Sequence, residues 1–235
     1  MRAPRTAVVT GSSRGIGRDL CARLLQGGDT VIGCSRGESQ LSHNKYRHFR
    51  TDVAEEASVR KMFSEIASEF ARIDLVVNNA GLALSRLALL TSAAEFASVI
   101  RVNLVGAFIV SREAIRLMKR TRFGRIVNFS SINVPLASSG GAAYNAAKAG
   151  LENLAITLSR ECAQDDITIN SIGLSLVAGS GMVEGLNSVA LAEKQSALIK
   201  PDLIEITEII HAIEFFAAPD ARNITGQTVY FGGVK

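Results

Sequence analysis

The stretch Thr6-Ala-Val-Val-Thr-Gly11-Ser-Ser-Arg-Gly15-Ile-Gly17 is the local pattern that decides the fold of this chain. It opens on a short apolar run, which is typical of a buried strand, and continues into leucines at helical spacing over residues 18–26. A glycine-rich turn between a strand and a helix N-terminus can bring backbone N–H groups against a pyrophosphate. The stretch lacks the Gly-Lys-Ser/Thr ending of a nucleotide-hydrolysing loop. It therefore predicts a dinucleotide-binding turn.

Outward from this turn, apolar runs of strand length alternate with segments of helical periodicity. The expected strands cover residues 30–34, 48–51, 74–77, 125–129, 167–172 and 228–231, and the expected helices cover 57–70, 93–120, 144–163 and 201–216. Between Arg36 and Tyr46 the sequence predicts no helix or a single turn. Apolar strands separated by helices favour a parallel sheet covered on both faces. We predict one α/β domain over residues 1–235, a Rossmann-type doubly wound parallel sheet.

Composition excludes several classes of protein. The chain is 47% hydrophobic and 20% charged, an ordinary globular balance. No window approaches the roughly 18 uninterrupted apolar residues of a membrane helix, and the N-terminus lacks the features of a signal peptide. Cys21, Cys34 and Cys162 are widely spaced without a CxxC pair, which favours core residues over disulfide or zinc partners. We expect a cytoplasmic, reduced protein with no membrane partner and no metal.

The net charge of +4 raises the question of an acidic partner. The densest basic run, from Arg116 to Arg125, follows a helical pattern, where cations stabilise the helix dipole. No nucleic-acid motif accompanies it. We interpret the run as a solvated helix end, available to an acidic partner, and expect no nucleic-acid binding.

The second strand indicates which dinucleotide is bound. An acidic residue at its end would accept from the ribose 2′-hydroxyl of NAD, but this strand runs into Ser35 and Arg36. An arginine can pair with a 2′-phosphate through charge-assisted hydrogen bonds, and Arg14 inside the glycine turn is a second candidate. The sequence predicts NADPH/NADP+.

Tyr144 and Lys148 lie at i and i+4 and share one face of a predicted helix. A nearby ammonium can lower the pKa of a phenol and make it a proton donor to a carbonyl that receives hydride. Ser131, 13 residues upstream of Tyr144 and just past a strand, could donate to the same oxygen. Taken alone, the YxxxK pattern also fits a solvated helix pair.

The motifs together resemble those of the short-chain dehydrogenase/reductase family over nearly the whole chain. They comprise TGxxxGxG at 10–17, Asp52-Val53, NNAG at 78–81, Asn103, Ser131, Tyr144, Lys148 and ITGQ at 224–227. The resemblance implies that Tyr144 gives its proton to the substrate, Lys148 holds the nicotinamide ribose and depresses the Tyr144 pKa, and Ser131 orients the carbonyl. Asn103 would hold a water for reprotonation. The implied cofactor contacts are Gly11, Ser13, Arg14, Gly15, Ile16, Gly17, Ser35, Arg36, Asp52, Val53, Asn79, Ala80, Gly81, Tyr144, Lys148, Ile172 and Gly173.

Within the family, residues 118–128 look most like the 3-oxoacyl-[acyl-carrier-protein] reductases, which implies a carbonyl substrate, free or bound to a carrier protein. A basic surface near Arg122 would suit an acidic carrier, although Asp165 and Asp166 stand where such reductases often carry a basic residue. The family also commonly forms homo-oligomers, tetramers or dimers, through helices that correspond to 93–120 and 144–163.

Two departures from the family pattern concern the nicotinamide end. Gly173-Leu174-Ser175 replaces the usual Pro-Gly turn, and Ser180 stands near the position of a threonine that contacts the carboxamide. Near the C-terminus, Gly232-Gly233 follows Phe231 without the usual aspartate. Residues 178–200, where the family keeps its substrate lid, are apolar enough to favour an acyl or cyclic carbonyl substrate, or simply to pack on the core.

Three functions stay open at this point. The first is an NADPH-dependent reductase of a 3-oxoacyl thioester or similar ketone. The second is a catalytically weak dinucleotide sensor or scaffold, which the altered Gly173 to Ser175 segment would suit. The third is an NAD-linked alcohol dehydrogenase that runs in the oxidative direction.

Overall fold

The computed structural model describes residues 3–234, apart from the side chain of Met182. A seven-stranded sheet forms its centre, in the order β3-β2-β1-β4-β5-β6-β7. All six neighbouring pairs are parallel. The strands are β1 (Thr6–Thr10), β2 (Thr30–Ser35), β3 (Tyr46–Arg50), β4 (Leu75–Asn78), β5 (Phe123–Ser131), β6 (Asp166–Leu174) and β7 (Thr228–Tyr230). Chain order reverses between β1 and β4, which opens a crevice at the carboxyl ends of these strands.

Helices cover both faces of the sheet. They are α1 (Gly15–Gln26), α2 (Glu56–Glu69), α3 (Ala93–Ile100), α4 (Ala107–Thr121), α5 (Asn133–Leu136), α6 (Ala142–Glu161), α7 (Gly181–Glu184), α8 (Ser188–Ser196) and α9 (Ile206–Ala217). One apolar cluster joins the sheet to α2, α4 and α6, and a second joins it to α1 and α9. The predicted doubly wound α/β fold is therefore confirmed.

The predicted helix 93–120 is present, but it is not regular. A π-helical turn, Arg101–Gly106, separates α3 from α4 and carries Asn103. Ala93–Thr121 is long and apolar enough, by length and composition alone, to cross a membrane. The sequence pattern predicts no such helix, because it contains no long uninterrupted apolar run. In the fold, Ile109, Val110 and Met118 of this stretch pack in the core.

The predicted helix start at Pro201 is wrong, because α9 begins at Ile206. Glu205 and Glu208 form a reciprocal capping box there, which satisfies N–H groups at the helix end. Before this cap, the Ile204 N–H donates to the Leu176 carbonyl at 2.8 Å, so the backbone is extended. No helix lies between Arg36 and Tyr46 in this part of the described chain, as predicted.

Arg125 does not belong to a solvated basic helix end. Its side chain is 1% exposed and donates to the carbonyl oxygens of Gly124, Asp166 and Pro219. It also forms an ion pair with the Asp166 carboxylate at 2.8 Å. A buried guanidinium needs such a full set of acceptors, so Arg125 ties the amino-terminal ends of β5 and β6 to the chain after α9. All three cysteines are free and buried.

Candidate active site

The glycine turn lies between β1 and α1, with its backbone at close quarters with β2 and β4. The N–H groups of Gly11 and Ser12 both donate to the Cys34 carbonyl, at 2.7 and 3.2 Å. A Cβ on Gly17 would lie 2.5 Å from the Asn79 amide nitrogen, so that position must stay glycine. Gly15 has φ +54° and no atom within 4 Å of the Cβ direction. The turn thus presents bare backbone to open space at a helix N-terminus, which suits a dinucleotide pyrophosphate.

Asn79 braces this turn through its side chain. Its amide donates to the carbonyl oxygens of Thr10 and Gly11, at 2.7 and 3.2 Å. The Thr10 hydroxyl in turn accepts from the backbone N–H groups of Asn79 and Ala80. The end of β4 is therefore fastened to the end of β1. The sequence pattern contained Thr10 but gave it no role, since its partners are about 70 residues away.

The end of β2 carries a polar cluster that the sequence pattern only partly identified. Ser35 is buried, and its hydroxyl donates to the Gly37 carbonyl at 2.9 Å. Because that hydroxyl has one proton, the 2.8 Å contact with Nε2 of His48 makes the imidazole the donor. Burial lowers the pKa of His48, against the opposing charge of Glu38. His48 was not among the predicted residues, although it lies on β3 beside Ser35.

Three arginines surround this polar cluster. Arg14, Arg36 and Arg50 are exposed, and the Arg50 guanidinium donates to the Arg36 carbonyl at 3.1 Å. Arg36 directly follows β2, and Arg14 caps α1 in the turn whose Gly11 and Ser12 N–H groups donate to the Cys34 carbonyl. Nearby, Asp52 accepts from the Ala54 N–H at 2.9 Å. This edge of the crevice is positively charged.

The four predicted catalytic residues meet at the carboxyl end of β5. Tyr144 lies in the first turn of α6, and Ser131, the last residue of β5, is near enough for its side chain to lower the Tyr144 pKa. Lys148 is 4% exposed and donates from Nζ to the Phe129 carbonyl at 2.6 Å, with Nζ 5.6 Å from the Tyr144 ring centre. Lys148 is therefore buried and Tyr144 partly buried, unlike a solvated helix pair.

Asn103 reaches the same place from the π-helical turn. Its amide donates to the carbonyl oxygens of Leu82 and Val99, at 2.8 and 2.9 Å. A Cβ on Gly81 would lie 2.9 Å from Oδ1 of Asn103 and 3.9 Å from Nζ of Lys148. Gly81 thus gives both side chains room beside one another. The π-helical turn explains why Asn103 points inward from an otherwise continuous helix.

Burial governs the proton affinities of this site. It raises the pKa of Tyr144 above its ordinary value, and the Ser131 hydrogen bond opposes the shift. Burial also lowers the pKa of Lys148 to about 8, with the Glu152 carboxylate opposing the shift. The structure therefore differs from the expectation that Lys148 depresses the Tyr144 pKa. Removal from water is the larger cause of the shift, and the Lys148 ammonium donates a hydrogen bond to the Phe129 carbonyl.

Glu152 was missed by the sequence reasoning. One carboxylate oxygen accepts from the Ser130 hydroxyl, and the other accepts from the Tyr230 hydroxyl at 2.7 Å. The residue lies four positions after Lys148, so an i, i+4, i+8 series of Tyr144, Lys148 and Glu152 was a signal available in the sequence.

The segment that stands in place of the family's Pro-Gly turn begins as a continuation of strand β6. β6 runs through Leu174, which lies opposite Ser131, and its carbonyl accepts from the Ile132 N–H at 2.9 Å. Ser180 is buried and donates to the Val177 carbonyl at 2.7 Å, while it caps α7. Its hydroxyl hydrogen is already used, so the idea that Ser180 replaces the family's threonine as a donor is not supported. Ile172 is fully buried in the core.

The chain is similar in sequence to known proteins. The sequence profile of the family described as short chain dehydrogenase matches residues 5–190. The chain is 33% identical to a 3-oxoacyl-[acyl-carrier-protein] reductase of Escherichia coli strain K12, over 97% of this chain and 96% of that protein. It is 30% identical to the protein of the same description from Vibrio cholerae, over the same shares.

Two solved structures resemble the fold closely. One is a candidate gluconate dehydrogenase from Agrobacterium tumefaciens, with a TM-score of 0.89 and 28% identity over 97% of this chain and 94% of that one. The other is a 4-hydroxyisoleucine dehydrogenase complexed with NADH, with a TM-score of 0.86 and 25% identity over 97% of each chain. With the profile match and the relatives above 30% identity, the chain belongs to the short-chain dehydrogenase/reductase family of oxidoreductases.

Proposed function

We propose that this oxidoreductase is an NADPH-dependent reductase that transfers hydride to the carbonyl of a 3-oxoacyl thioester or a similar ketone. The carrying observation is the convergence of three groups: the partly buried Tyr144, the Ser131 hydroxyl that acts on its pKa, and the buried Lys148 one helical turn away. A phenol with a raised pKa holds its proton at neutral pH and can give it to an oxygen that gains negative charge. Ser131 supplies a second hydroxyl at the same place.

The residues around the crevice fit a nicotinamide dinucleotide. Bare glycine backbone at Gly15 leaves room for a pyrophosphate, and Tyr144 with Lys148 stand at the far end of the same sheet edge. When bound, NADPH supplies the hydride that the carbonyl carbon receives. Lys148 would bind the nicotinamide ribose, and Asp52, Val53, Asn79 and Ala80 would flank the adenosine. Gly173 and Ile172 would lie near the nicotinamide.

The preference for NADPH is supported by three exposed arginines: Arg36 directly after β2, Arg50 at the end of β3, and Arg14 at the start of α1. Arg14 and Arg36 could each pair with a 2′-phosphate. Ser35 contributes differently from the sequence-based expectation, because its hydroxyl already donates to Gly37. That arrangement leaves the arginines to supply positive charge, since burial lowers the pKa of His48 and favours its neutral imidazole. The competing NAD-linked dehydrogenase draws support from Glu38, whose charge acts on His48 and would repel a 2′-phosphate.

The substrate class is supported by the surroundings of the reacting groups. Ile132, next to Ser131, forms an apolar cluster with Leu176 and Leu198, against which Val183 and Leu186 of the 178–200 segment pack. We propose that this segment acts as the substrate lid and contacts an acyl chain. Carrier-protein docking at Arg122 has less support, since Arg122 pairs with Asp165 at 3.4 Å.

Two long helical stretches carry exposed apolar side chains. Val105 and Ile156 are each 39% exposed, on the two long helical stretches where an oligomer interface was expected. We propose a homo-oligomer, a tetramer or dimer, in the cytoplasm. Sedimentation at several protein concentrations tests it, and a monomer throughout would contradict it.

Stopped-flow oxidation of NADPH with an acetoacetyl thioester tests the main proposal. We expect turnover with the thioester, less with NADH, and loss of turnover in Tyr144→Phe. A panel of cyclic and open-chain ketones covers other carbonyl substrates. Cofactor binding without turnover on any carbonyl would favour the sensor, and equal or better use of NADH would favour the NAD-linked dehydrogenase.

A further inference from the structure

Glu152 lies one helical turn after Lys148 on α6, and hydroxyl groups from two strands bind its carboxylate. Ser130 of β5 donates to one of its carboxylate oxygens, and Tyr230 of β7 donates to the other at 2.7 Å. Such a pair of hydroxyl donors fixes the position of a carboxylate. Burial together with the carboxylate raises the pKa of Tyr230, so that hydroxyl keeps its proton and remains a donor.

Tyr144, Lys148 and Glu152 of α6 each lie next to a residue near the carboxyl end of β5. The Phe129 carbonyl accepts from Lys148, the Ser130 hydroxyl donates to Glu152, and Ser131 acts on the pKa of Tyr144. Three consecutive residues of β5 therefore face three residues that share one face of α6. The proton donor, the ammonium and the carboxylate form one series along the helix, at intervals of one turn.

Lys148 has little other compensation for its burial. It is 4% exposed and has the Phe129 carbonyl as its hydrogen-bond acceptor. Tyr144 on the same helix lies beside Lys148, and Tyr230 on β7 contacts Glu152. β5 contributes the Phe129 carbonyl and the Ser130 hydroxyl, and the π-helical turn contributes the Asn103 side chain near Lys148. A buried ammonium without a nearby anion tends to lose its proton, because water no longer solvates the charge.

We infer that Glu152 is a positioning residue, the counter-charge that keeps Lys148 protonated while the site reduces its carbonyl. This inference rests on the proposed reductase function. Glu152 touches neither substrate nor the reacting atoms. It acts through Lys148, whose charge would bind the ribose and support proton delivery by Tyr144.

The pH dependence of kcat for carbonyl reduction tests the inference. In Glu152→Gln, the alkaline limb should move to lower pH by about one unit, the size of effect that one nearby opposite charge produces. Glu152→Asp keeps the charge, so its alkaline limb should lie nearer to that of wild type. Glu161→Gln removes a carboxylate from the exposed end of the same helix and should leave the limb in place.

A merely structural role would give a different result. Loss of kcat by the same factor at every pH, or an alkaline limb at its wild-type position in Glu152→Gln, would overturn the inference. Should Glu152→Gln not fold, the double variant Ser130→Ala/Tyr230→Phe decides. It releases the carboxylate and should shift the limb in the same direction, and an unchanged limb would again overturn the inference.

A measurement without turnover separates this inference from the proposed function. With lysine labelled at the ε-carbon, NMR titration follows Lys148, whose resonance is identified by its loss in Lys148→Arg. We expect its midpoint to fall in Glu152→Gln and to stay in Glu161→Gln. An inactive wild type whose midpoint shifts this way would refute the reductase and retain the Glu152–Lys148 coupling. An active wild type whose Lys148 midpoint equals that in Glu152→Gln would support the reductase and refute the Glu152–Lys148 coupling.

Discussion

The ring of Tyr230 occupies the space that a side chain on Gly173 would need. A Cβ built on Gly173 would stand 2.5 Å from Cε1 of Tyr230, well inside van der Waals contact. The two residues lie opposite one another in the β6–β7 pairing. Gly173 therefore lets the Tyr230 ring lie flat on the sheet and reach Glu152.

Gly173→Ala should destabilise the protein, because the added methyl group forces the Tyr230 ring aside. Overpacking of this kind typically costs about 1–3 kcal/mol. Urea unfolding measures the change. Gly37→Ala is the matched control, since a Cβ there meets no atom within 4 Å and no positive φ is involved. If Gly173→Ala costs as much in a Tyr230→Ala background as in wild type, the clash is not the cause.

Tyr144→Phe should lower kcat for carbonyl reduction by roughly 10²–10⁴-fold, because the proton donor is lost. NADPH affinity, followed by cofactor fluorescence, should change little. Ser131→Ala should lose activity to a smaller degree, since one of two hydroxyl donors remains. The exposed Ser68→Ala on α2 serves as a control with full activity. A Tyr144→Phe variant within tenfold of wild type would exclude Tyr144 as the donor.

Lys148 should make stability depend on alkaline pH. Its pKa is lowered from 10.5 to about 8 by burial. Between these values the unfolded chain holds a proton that the folded protein has released, so the free energy of unfolding rises with pH in this window. The contribution is at most about 3 kcal/mol. It should vanish again as the pH falls through 8.

The measurement compares wild type with Lys148→Met in urea at pH 8 and pH 10. Other groups that titrate in this range, including the buried thiols of Cys21 and Cys34, are present in both proteins and cancel in the difference. From pH 8 to pH 10, the free energy of unfolding of wild type should rise relative to that of Lys148→Met. Parallel pH dependence of the two proteins would show that the pKa of Lys148 is the same folded and unfolded.

Arg36→Ala and Arg14→Ala should weaken NADPH binding much more than NADH binding. Each charge-assisted hydrogen bond to a phosphate contributes about 1.5–3 kcal/mol, which corresponds to a factor of ten or more in affinity. Fluorescence titration with both cofactors gives the ratio. Arg47→Ala is the control, because Arg47 pairs with Glu69 at 3.6 Å. An unchanged ratio in both Arg36→Ala and Arg14→Ala would reject the arginines as readers of the 2′-phosphate.

The sequence by itself predicted the alternation of strands and helices, the glycine turn and the Tyr144–Lys148 pair. These are local features, since helical spacing, apolar runs and glycine requirements are set by residues within a few positions of one another. It also placed Ser131 at a strand end and Asn103 within the long helix. For this reason the fold class could be predicted from the printed residues alone.

Only the tertiary structure decided which charges are buried and with what they pair. Arg125 looked like one member of a basic run, but the packing of β5 against β6 removes it from water and surrounds it with carbonyl oxygens. Likewise, Glu152 gains its role from Ser130 and from Tyr230, which is 78 residues away in the chain. Desolvation and long-range partners determine such groups, and neither is encoded in local spacing.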